Sequence, residues 1–411
     1  MRFRYSRSVL TVLVGSALAV STLASTAQAQ SARSHSDGRD GAEFPASSSH
    51  HDWHGSWHDR DHEHGSSAPV VVTSGLNNPR QLSLVDNGVL LIAEAGKGGP
   101  ACSGQGQDAL CTGATGSISA VLLPQAGKNR HHEELVRNLI SGAGADGSFA
   151  VGSDGVSQHE LGDKIYIQET WAPPDVFPPG VPGAQAGKLL AARPFGKAKP
   201  VADITRYESE HDPDGHGFDS DPYAVIAREH DQLVADAAGN DILRVDKHGK
   251  VSLFHVFPNV VNKAIPAPGA DFVPTSLALD RHGDVYVGGL VGEVPGQGRV
   301  VKLDGRTGDV EKTWTGFTTV TGVAVGRDGS LYVSQLFAPE AKPVNPEIAG
   351  VLTKVSPGGK HHDVDVPFPA GVAVDRWGTV FVSAFSIAPA GGLAGSPPGV
   401  NTSGQVWRLR F

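Results

Sequence analysis

The sequence contains little sulfur and no uninterrupted apolar run. Its 411 residues include two cysteines and one methionine, and aromatic residues make up 7% of the chain. The most apolar stretch, residues 9–23, is broken by glycine, serine and threonine. A membrane-spanning helix needs about 20 nearly continuous apolar residues. The sequence therefore predicts no membrane span.

A basic stripe is also missing. Asp and Glu number 43 against 34 Lys and Arg, and the net charge is -9. Such a chain repels the phosphates of nucleic acids and of anionic membranes. The sequence has no P-loop, no G-x-S-x-G elbow and no H-E-x-x-H helix. Its one G-x-G-x-x-G, residues 142–147, leads into a predicted strand, whereas the dinucleotide-binding motif opens a helix. We therefore expect no nucleic-acid partner, and no familiar motif identifies a catalytic centre.

The amino terminus has the pattern of a leader. Arg2, Arg4 and Arg7 precede the apolar stretch, and the small-residue pattern A-Q-A ends at Ala29. These are the three parts of a secretory signal peptide. We predict that residues 1–29 are a signal peptide and that the protein is secreted.

Residues 30–67 are rich in histidine, serine and aspartate and almost free of aliphatic side chains. Without apolar surface to bury, such a segment cannot offset the entropy lost on ordering. Its histidines could bind transition metals loosely. We interpret the segment as a disordered, solvated linker.

Both cysteines lie in one glycine-rich stretch. Cys102 and Cys111 are separated by eight residues, without C-x-x-C spacing or an adjacent histidine. A close cysteine pair in an exported chain indicates a disulfide rather than a metal or redox site. We predict a Cys102–Cys111 disulfide that closes this loop.

A repeated pattern organises the rest of the chain. "SLALDRHGDVYVGGL" from Ser276, "GVAVGRDGSLYVSQL" from Gly322 and "GVAVDRWGTVFVSAF" from Gly371 are each an alternating strand, a glycine turn and a second strand. Weaker copies begin at residues 81, 148 and 224, which makes six units. A second hairpin follows each of the first five.

The sixth unit is one strand short. The chain ends at "GQVWRLRF" with half of its second hairpin, while an unassigned strand, "PVVVTS", opens the domain at Pro69. Stacked sheets or a closed barrel would not explain this combination. We predict an all-β fold, a six-bladed β-propeller over residues 68–411, in which Val70 to Thr73 complete the last blade.

Several stretches resemble a known family. They are "GLNNPRQLSL", "AEAGKGG", "CTGATGSI", "DPDG", "DSDPYAV" and "VADAAGNDILRVD". They make the chain similar to the ScyD/ScyE family of exported, NHL-like six-bladed propellers, over nearly all of the propeller and none of the histidine-rich segment. The resemblance implies the fold, export and a link to the metabolism of the indole-derived pigment scytonemin. It implies no catalytic residue.

Polar residues follow the second strands of several units. Ligands of propellers usually meet the mouth of the central channel, and the aligned strand ends carry Glu94, Glu169, Asp236 and Gln335. The three carboxylates could hold Ca²⁺ or act as an acid/base pair, with Asn240 as a neutral ligand. Alternatively, each acid accepts hydrogen bonds from its own loop.

A second acidic stretch, residues 212–221, alternates aspartate with glycine. This composition suits a calcium loop, but the twelve-residue pattern with its closing glutamate is missing. We interpret it as a solvated loop whose aspartates form turns.

Two functions from different classes fit these observations. The first is an exported, monomeric, non-catalytic propeller that binds a small molecule, glycan or protein, in secondary-metabolite or envelope metabolism. The alternative is a Ca-dependent, lactonase-like hydrolase with the metal at Glu94, Glu169 and Asp236, where the ion would polarise a carbonyl group.

Overall fold

The computed structural model describes most of the chain beyond the amino-terminal segment. The predicted signal peptide and linker lie outside the described residues, apart from Ser67, where strand β1 (Ser67–Leu76) begins. Within the described part, one α-helix is present, α1 (Ile204–His211), and no helix has the length and hydropathy to cross a membrane. The described residues are 67–85, 88–106, 109–123, 130–159, 162–337, 350–396 and 398–411.

The first two groups of four strands are joined edge to edge. The first group is β2 (Pro79–Val85), β3 (Val89–Glu94), β5 (Leu110–Leu122) and β6 (Glu133–Ala143), with β4 (Ala101–Ser103) on β5; the second is β7 (Val151–Ser157), β8 (Ile165–Glu169), β9 (Lys188–Ala192) and β10 (Lys199–Asp203). Ser141 pairs with Gly152 and Gly142 with Val151, so β6 and β7 connect the two groups into one sheet.

The next three groups are separate antiparallel sheets whose strands lie in chain order. The third group is β11 (Pro222–Ala227), β12 (Asp231–Asp236), β13 (Asp241–Asp246) and β14 (Val251–Val256); the fourth is β15 (Pro274–Leu279), β16 (Val285–Gly289), β17 (Gly298–Leu303) and β18 (Val310–Phe317); the fifth is β19 (Val320–Val325), β20 (Leu331–Gln335), β21 (Gly350–Val355) and β22 (His361–Val366).

The sixth group is completed by the first strand of the domain. It contains β23 (Val372–Val374), β24 (Val380–Ala384) and β25 (Gly404–Arg410), and β1 pairs antiparallel with β25. Val70 lies opposite Arg408 and Val71 opposite Trp407. The predicted pairing of the opening strand with the last strand is confirmed.

The first strands of the groups contact one another in cyclic order. β2 contacts β7, β7 contacts β11, and the series continues through β15, β19 and β23 back to β2. A cluster of buried apolar side chains lies between each pair of neighbouring groups, including the sixth and the first. Because both faces of each sheet are covered, second strands such as β16, β20 and β24 are buried along their whole length. The fold is all-β and propeller-like.

Two glycines allow the first strands to approach closely. A Cβ on Gly371, just before β23, would meet the carbonyl oxygen of Arg80 and lie 2.6 Å from the amide nitrogen of Leu82, both on β2. A Cβ on Gly322 would meet the carbonyl of Ala370 in the same way. This explains the glycine that opens two of the three clearest repeats.

Candidate functional site

The three predicted carboxylates lie at the ends of second strands. Glu94 ends β3, Glu169 ends β8 and Asp236 ends β12, and all three side chains are buried. Among the described residues, two groups of three metal-ligating side chains have oxygens within 4.8 Å of one another, and neither group contains any of these three acids. The structure therefore does not bring Glu94, Glu169 and Asp236 into one cluster.

Glu94 is held within its own group of strands. Its Oε2 accepts a hydrogen bond from the backbone N–H of Asn77 at 2.7 Å. Its Oε1 accepts from the hydroxyls of Ser119, at short range, and Ser117, at 3.4 Å. Burial raises the pKa of Glu94 to about 7, and these hydrogen bonds oppose that rise.

Asp236 and Glu169 are held in the same manner. Asp236 accepts from the Ser220 hydroxyl at 2.7 Å and from the backbone N–H groups of Asp221 at 2.6 Å and Gly239 at 3.2 Å. Burial raises its pKa to about 7. The Ser153 hydroxyl donates to Oε1 of Glu169 at 2.9 Å, while Oε2 accepts no hydrogen bond. Burial raises the pKa of Glu169 well above its usual range.

The two predicted amide side chains connect loops and strands. Asn240 donates to the Phe257 carbonyl at 2.9 Å and accepts from the backbone N–H of Phe272 at 2.9 Å. Gln335 accepts from the backbone N–H of Thr318 at 2.7 Å and donates to the Thr353 hydroxyl at 2.8 Å. Both amides are buried, and both ends of each take part in hydrogen bonds within the chain.

The predicted disulfide is present. Cys102 on β4 is bonded to Cys111 on β5. Because Glu94 lies opposite Ser117 and Cys111 lies six residues before that serine on β5, the disulfide is beyond the Glu94 end of the first group. It tethers β4 to the sheet at this end.

A large cavity lies at the opposite end of the first strands. Its volume is 1340 Å³, and residues from all six first strands line it. A strand of six residues spans about 20 Å, so the rim of this cavity is far from the predicted acids. We call this cavity the funnel; its apolar wall contains Leu82, Leu84, Ile226, Leu277, Leu279, Val323, Val325, Val372 and Val374.

The side chain of Gln81 narrows the floor of the funnel. It reaches from β2 to β11 of the third group, donating to the Val225 carbonyl at 2.7 Å and accepting from the Val225 N–H at 3.1 Å. The next cavity, lined by Gln81 and Tyr223 among others, has a volume of only 20 Å³. This second cavity therefore has room for little more than a water molecule.

Arginines lie along the half of the wide end that the fourth, fifth and sixth groups form, and Glu229 of the third group lies on the other half. Arg281, Arg327 and Arg376 occupy the same position in the glycine turns of the fourth, fifth and sixth groups, and all three are exposed. Arg408 and Arg410 of β25 also line the cavity. Within the part of the chain that the structure describes, none of these five forms an ion pair.

The acids in these turns are engaged by the backbone. Asp280 accepts from the N–H of His282 at 2.8 Å, and Asp375 accepts from the N–H of Trp377 at 2.9 Å. They stabilise the turns and so present the adjacent arginines to solvent. Trp377 is 77% exposed, and the Arg376 guanidinium lies 4.7 Å from its ring centroid. The rim thus combines positive charge with an aromatic surface.

Sequence reasoning missed the funnel, although a signal for it was present. The repeats contain "DRHG", "GRDG" and "DRWG", so arginine recurs at one turn position in three groups. Only the ring of first strands shows that these turns meet around one opening.

No family model matches the chain, and no curated protein matches it. Three solved structures show the range of similar folds. A streptogramin B lyase structure is 10% identical with a TM-score of 0.45, covering 83% of this chain and 96% of that one. A candidate gluconolactonase is 11% identical with a TM-score of 0.48, covering 85% and 93%. The WD40 β-propeller domain of Doa1 is 8% identical with a TM-score of 0.45, covering 84% and 97%. Each is a likeness of overall strand arrangement, and none identifies a site.

Proposed function

We propose that this chain is an exported, monomeric, six-bladed β-propeller of ScyD/ScyE type that binds a small organic anion in the funnel without transforming it. The observation that carries the proposal is the position of Arg281, Arg327 and Arg376 on one side of the opening of a cavity of 1340 Å³ whose wall is partly apolar and partly polar. Export rests on the predicted signal peptide, residues 1–29.

A ring of six blades, in which the opening strand completes the last blade, explains the order in which the strands pair. The cyclic contacts among the first strands and the apolar cluster between the sixth and first groups support a ring. The pairing of β1 with β25 supports closure, because it leaves the last blade with four strands. A ring of this kind protects the sheet edges.

The chemistry of the funnel favours an amphipathic ligand. The partly buried side chains of Ile226, Leu279, Val325 and Val374 on its wall would contact a ring or an aliphatic body. The guanidinium groups at the rim would bind a carboxylate, sulfate or phosphate, because they match the geometry of planar and tetrahedral anions. In a chain with a net charge of -9, a basic rim also directs anions to this opening.

A fluorescent anion tests the proposal. We expect anilinonaphthalene sulfonate, which combines an aromatic body with one sulfonate, to bind at a single saturable site and to bind more weakly as salt rises. The double substitution Arg327→Glu and Arg376→Glu should weaken binding by at least about tenfold. The matched control is the double substitution Arg130→Glu and Arg306→Glu, which makes the same change in charge at two exposed positions outside the funnel.

Three results would each contradict the proposal. The first is the absence of a saturable site for the dye. The second is an equal affinity of the rim variant and the control for the dye. The third is an equal affinity of the wild type for the dye and for a neutral phenylnaphthylamine.

The Ca-dependent hydrolase remains the alternative. It requires Glu94, Glu169 and Asp236 to share a metal, whereas each now accepts hydrogen bonds from its own group of strands. The alternative predicts lactone cleavage that needs Ca²⁺ and is lost in Glu94→Gln. Our proposal predicts no cleavage with or without Ca²⁺.

A further inference from the structure

A cluster of carboxylates lies between α1 and the third group of strands. Glu208 is on the buried side of α1, Asp212 ends the helix in the left-handed conformation (φ 43°), and Asp214 follows in the loop. One carboxylate oxygen from each of the three lies within 4.8 Å of the other two. Helix and loop thus direct three acids to one point.

This spacing fits a single calcium ion. Ca²⁺ binds oxygens at about 2.3–2.6 Å, so two ligands on opposite sides of the ion are about 5 Å apart. Oxygens that all lie within 4.8 Å of one another can therefore contact one ion at their centre. Carboxylates are the hard ligands that Ca²⁺ prefers.

Two buried side chains at this place have no hydrogen-bond partner. Neither Glu208 nor Asp241 is exposed, and all four of their carboxylate oxygens accept no hydrogen bond. Asp241 begins β13 and lies opposite Asp236 on β12. A buried carboxylate without partners is costly unless it is protonated or binds a cation.

The Glu208 carboxylate lies against the turn that joins β12 to β13. A Cβ on Gly239, in this turn, would lie 3.0 Å from Oε2 of Glu208 and 3.2 Å from the carboxylate carbon of Asp236. Asp241, which begins β13, is two residues further along the chain. The unpartnered carboxylates of Glu208 and Asp241 thus belong to the same end of the third group of strands.

A second group of acids gives a useful contrast. Asp284, Asp304 and Glu311 also have oxygens within 4.8 Å of one another. There, the Lys302 ammonium lies 2.7 Å from both Asp284 and Glu311. In the described part of the chain no lysine or arginine forms an ion pair with Glu208, Asp212, Asp214 or Asp241; only the half-exposed His216 lies 3.2 Å from Asp214. Lys302 thus supplies a positive charge to Asp284 and Glu311, whereas no lysine or arginine of the described residues does so for the cluster at α1.

We propose that Glu208, Asp212 and Asp214 bind one Ca²⁺, with the unpartnered carboxylate of Asp241 beside them, and that the ion fixes α1 and the following loop to the third group of strands. Residues 212–221 then form a metal-binding loop rather than the solvated loop expected from the sequence. This site uses none of the residues that line the funnel, so it is independent of the ligand proposed above.

Calcium alone is the probe for this proposal. Full-length protein is treated with chelator, and its melting temperature is followed as Ca²⁺ is added, with calorimetry to count the ions. We expect one ion with a Kd below about 1 mM, the range of extracellular calcium modules, and a smaller effect of Mg²⁺. Asp241→Asn and Glu208→Gln should each weaken binding by at least about tenfold, because the negative charge of the ligands and of the acid beside them sets the affinity.

Glu311→Gln is the matched control and should leave Ca²⁺ binding unchanged, because Lys302 already neutralises its group. Without calcium, Asp241→Asn should melt at or above the wild type, because a buried amide needs neither a proton nor a cation to be neutral. This result separates loss of the site from failure to fold, and Glu208→Gln repeats the test at a second position. No effect of Ca²⁺ up to about 10 mM, or an equal effect in wild type and Asp241→Asn, would overturn the proposal.

Discussion

Arg80 provides the sharpest test of how neighbouring groups of strands are held together. It is 4% exposed on β2, and its guanidinium donates to the carbonyl of Ala150 just before β7. Its Nε lies 3.3 Å from Oδ1 of the fully buried Asp154, an ion pair without hydrogen-bond geometry. Burial raises the pKa of Asp154 to about 7, although the charge of Arg80 lowers it.

Arg80→Met keeps the apolar stem and removes the charge. Asp154 then remains buried without its cation, and removing one partner of a buried ion pair costs about 3–5 kcal/mol. Asp154 can reduce this cost by binding a proton, so the pKa of this carboxyl rises further in the variant. The loss of stability should therefore be larger at pH 8 than at pH 5.5, because stability gained from a raised pKa disappears as pH rises.

Urea unfolding followed by tryptophan fluorescence measures both values. The double variant Arg80→Met with Asp154→Asn should recover part of the loss at pH 8, because it removes the unpaired charge and keeps the shape of the side chain. A loss under about 1 kcal/mol at pH 8, within the range of an exposed pair, would refute the reasoning. So would an equal loss at the two pH values.

Three further predictions concern stability. In the wild type, the free energy of unfolding should decline by about 3 kcal/mol between pH 4.5 and 7, because the folded protein binds the Glu94 proton more tightly (pKa about 7) than the unfolded chain does. Glu94→Gln should remove this decline. Unfolding at pH 5 and pH 8 measures it, and a decline that the substitution leaves unchanged would count against the prediction. Cys102→Ser with Cys111→Ser should cost about 2–3 kcal/mol, seen as a lower melting temperature that matches the reduced wild type; equal melting with and without reductant contradicts this. Gly371→Ala should lower the free energy of unfolding by about 1–3 kcal/mol, because its Cβ meets the backbone of β2. Gly358→Ala is the neutral control, because the space around Gly358 is open. Equal free energies of unfolding in the two variants would disprove the close approach.

The sequence indicated the strands well because each group repeats one local pattern. Alternation around a glycine turn predicts pairs such as β15 and β16. Both faces of those strands are buried because the fourth group packs between the third and the fifth. The position of β1 followed from the number of strands in each unit. The last unit lacks one strand, and the opening strand belongs to no other unit, so the two complement each other. These features depend on short-range pattern, which a sequence displays directly.

The helix α1 was not predicted because it is short and its clearest sequence signals lie at its ends. Its eight residues, Ile204–His211, are mostly polar and show no sustained periodicity. The Asp203 side chain accepts from the backbone N–H of Arg206 at the first turn, and Asp212 ends the helix in the left-handed conformation. An N-cap of this kind is a sequence signal, but it is weak in a short segment.

The candidate site depended on contacts that no single segment shows. Glu94 and Asp236 lie at strand ends as expected, but the hydroxyls of Ser119 and Ser220 occupy their carboxylates. Whether an acid faces its own group or a neighbour is decided by register and by the packing of groups around the axis. The funnel likewise exists only when the first strands of all six groups come together.

A crystal structure of the full-length protein soaked with anilinonaphthalene sulfonate would test the central claim most directly. We predict the aromatic body against Leu279, Val325 and Val374 on the funnel wall, with the sulfonate at Arg327 or Arg376 on the rim. A ligand bound at the Glu94 end of the strands, or an empty funnel at a saturating concentration, would contradict the account.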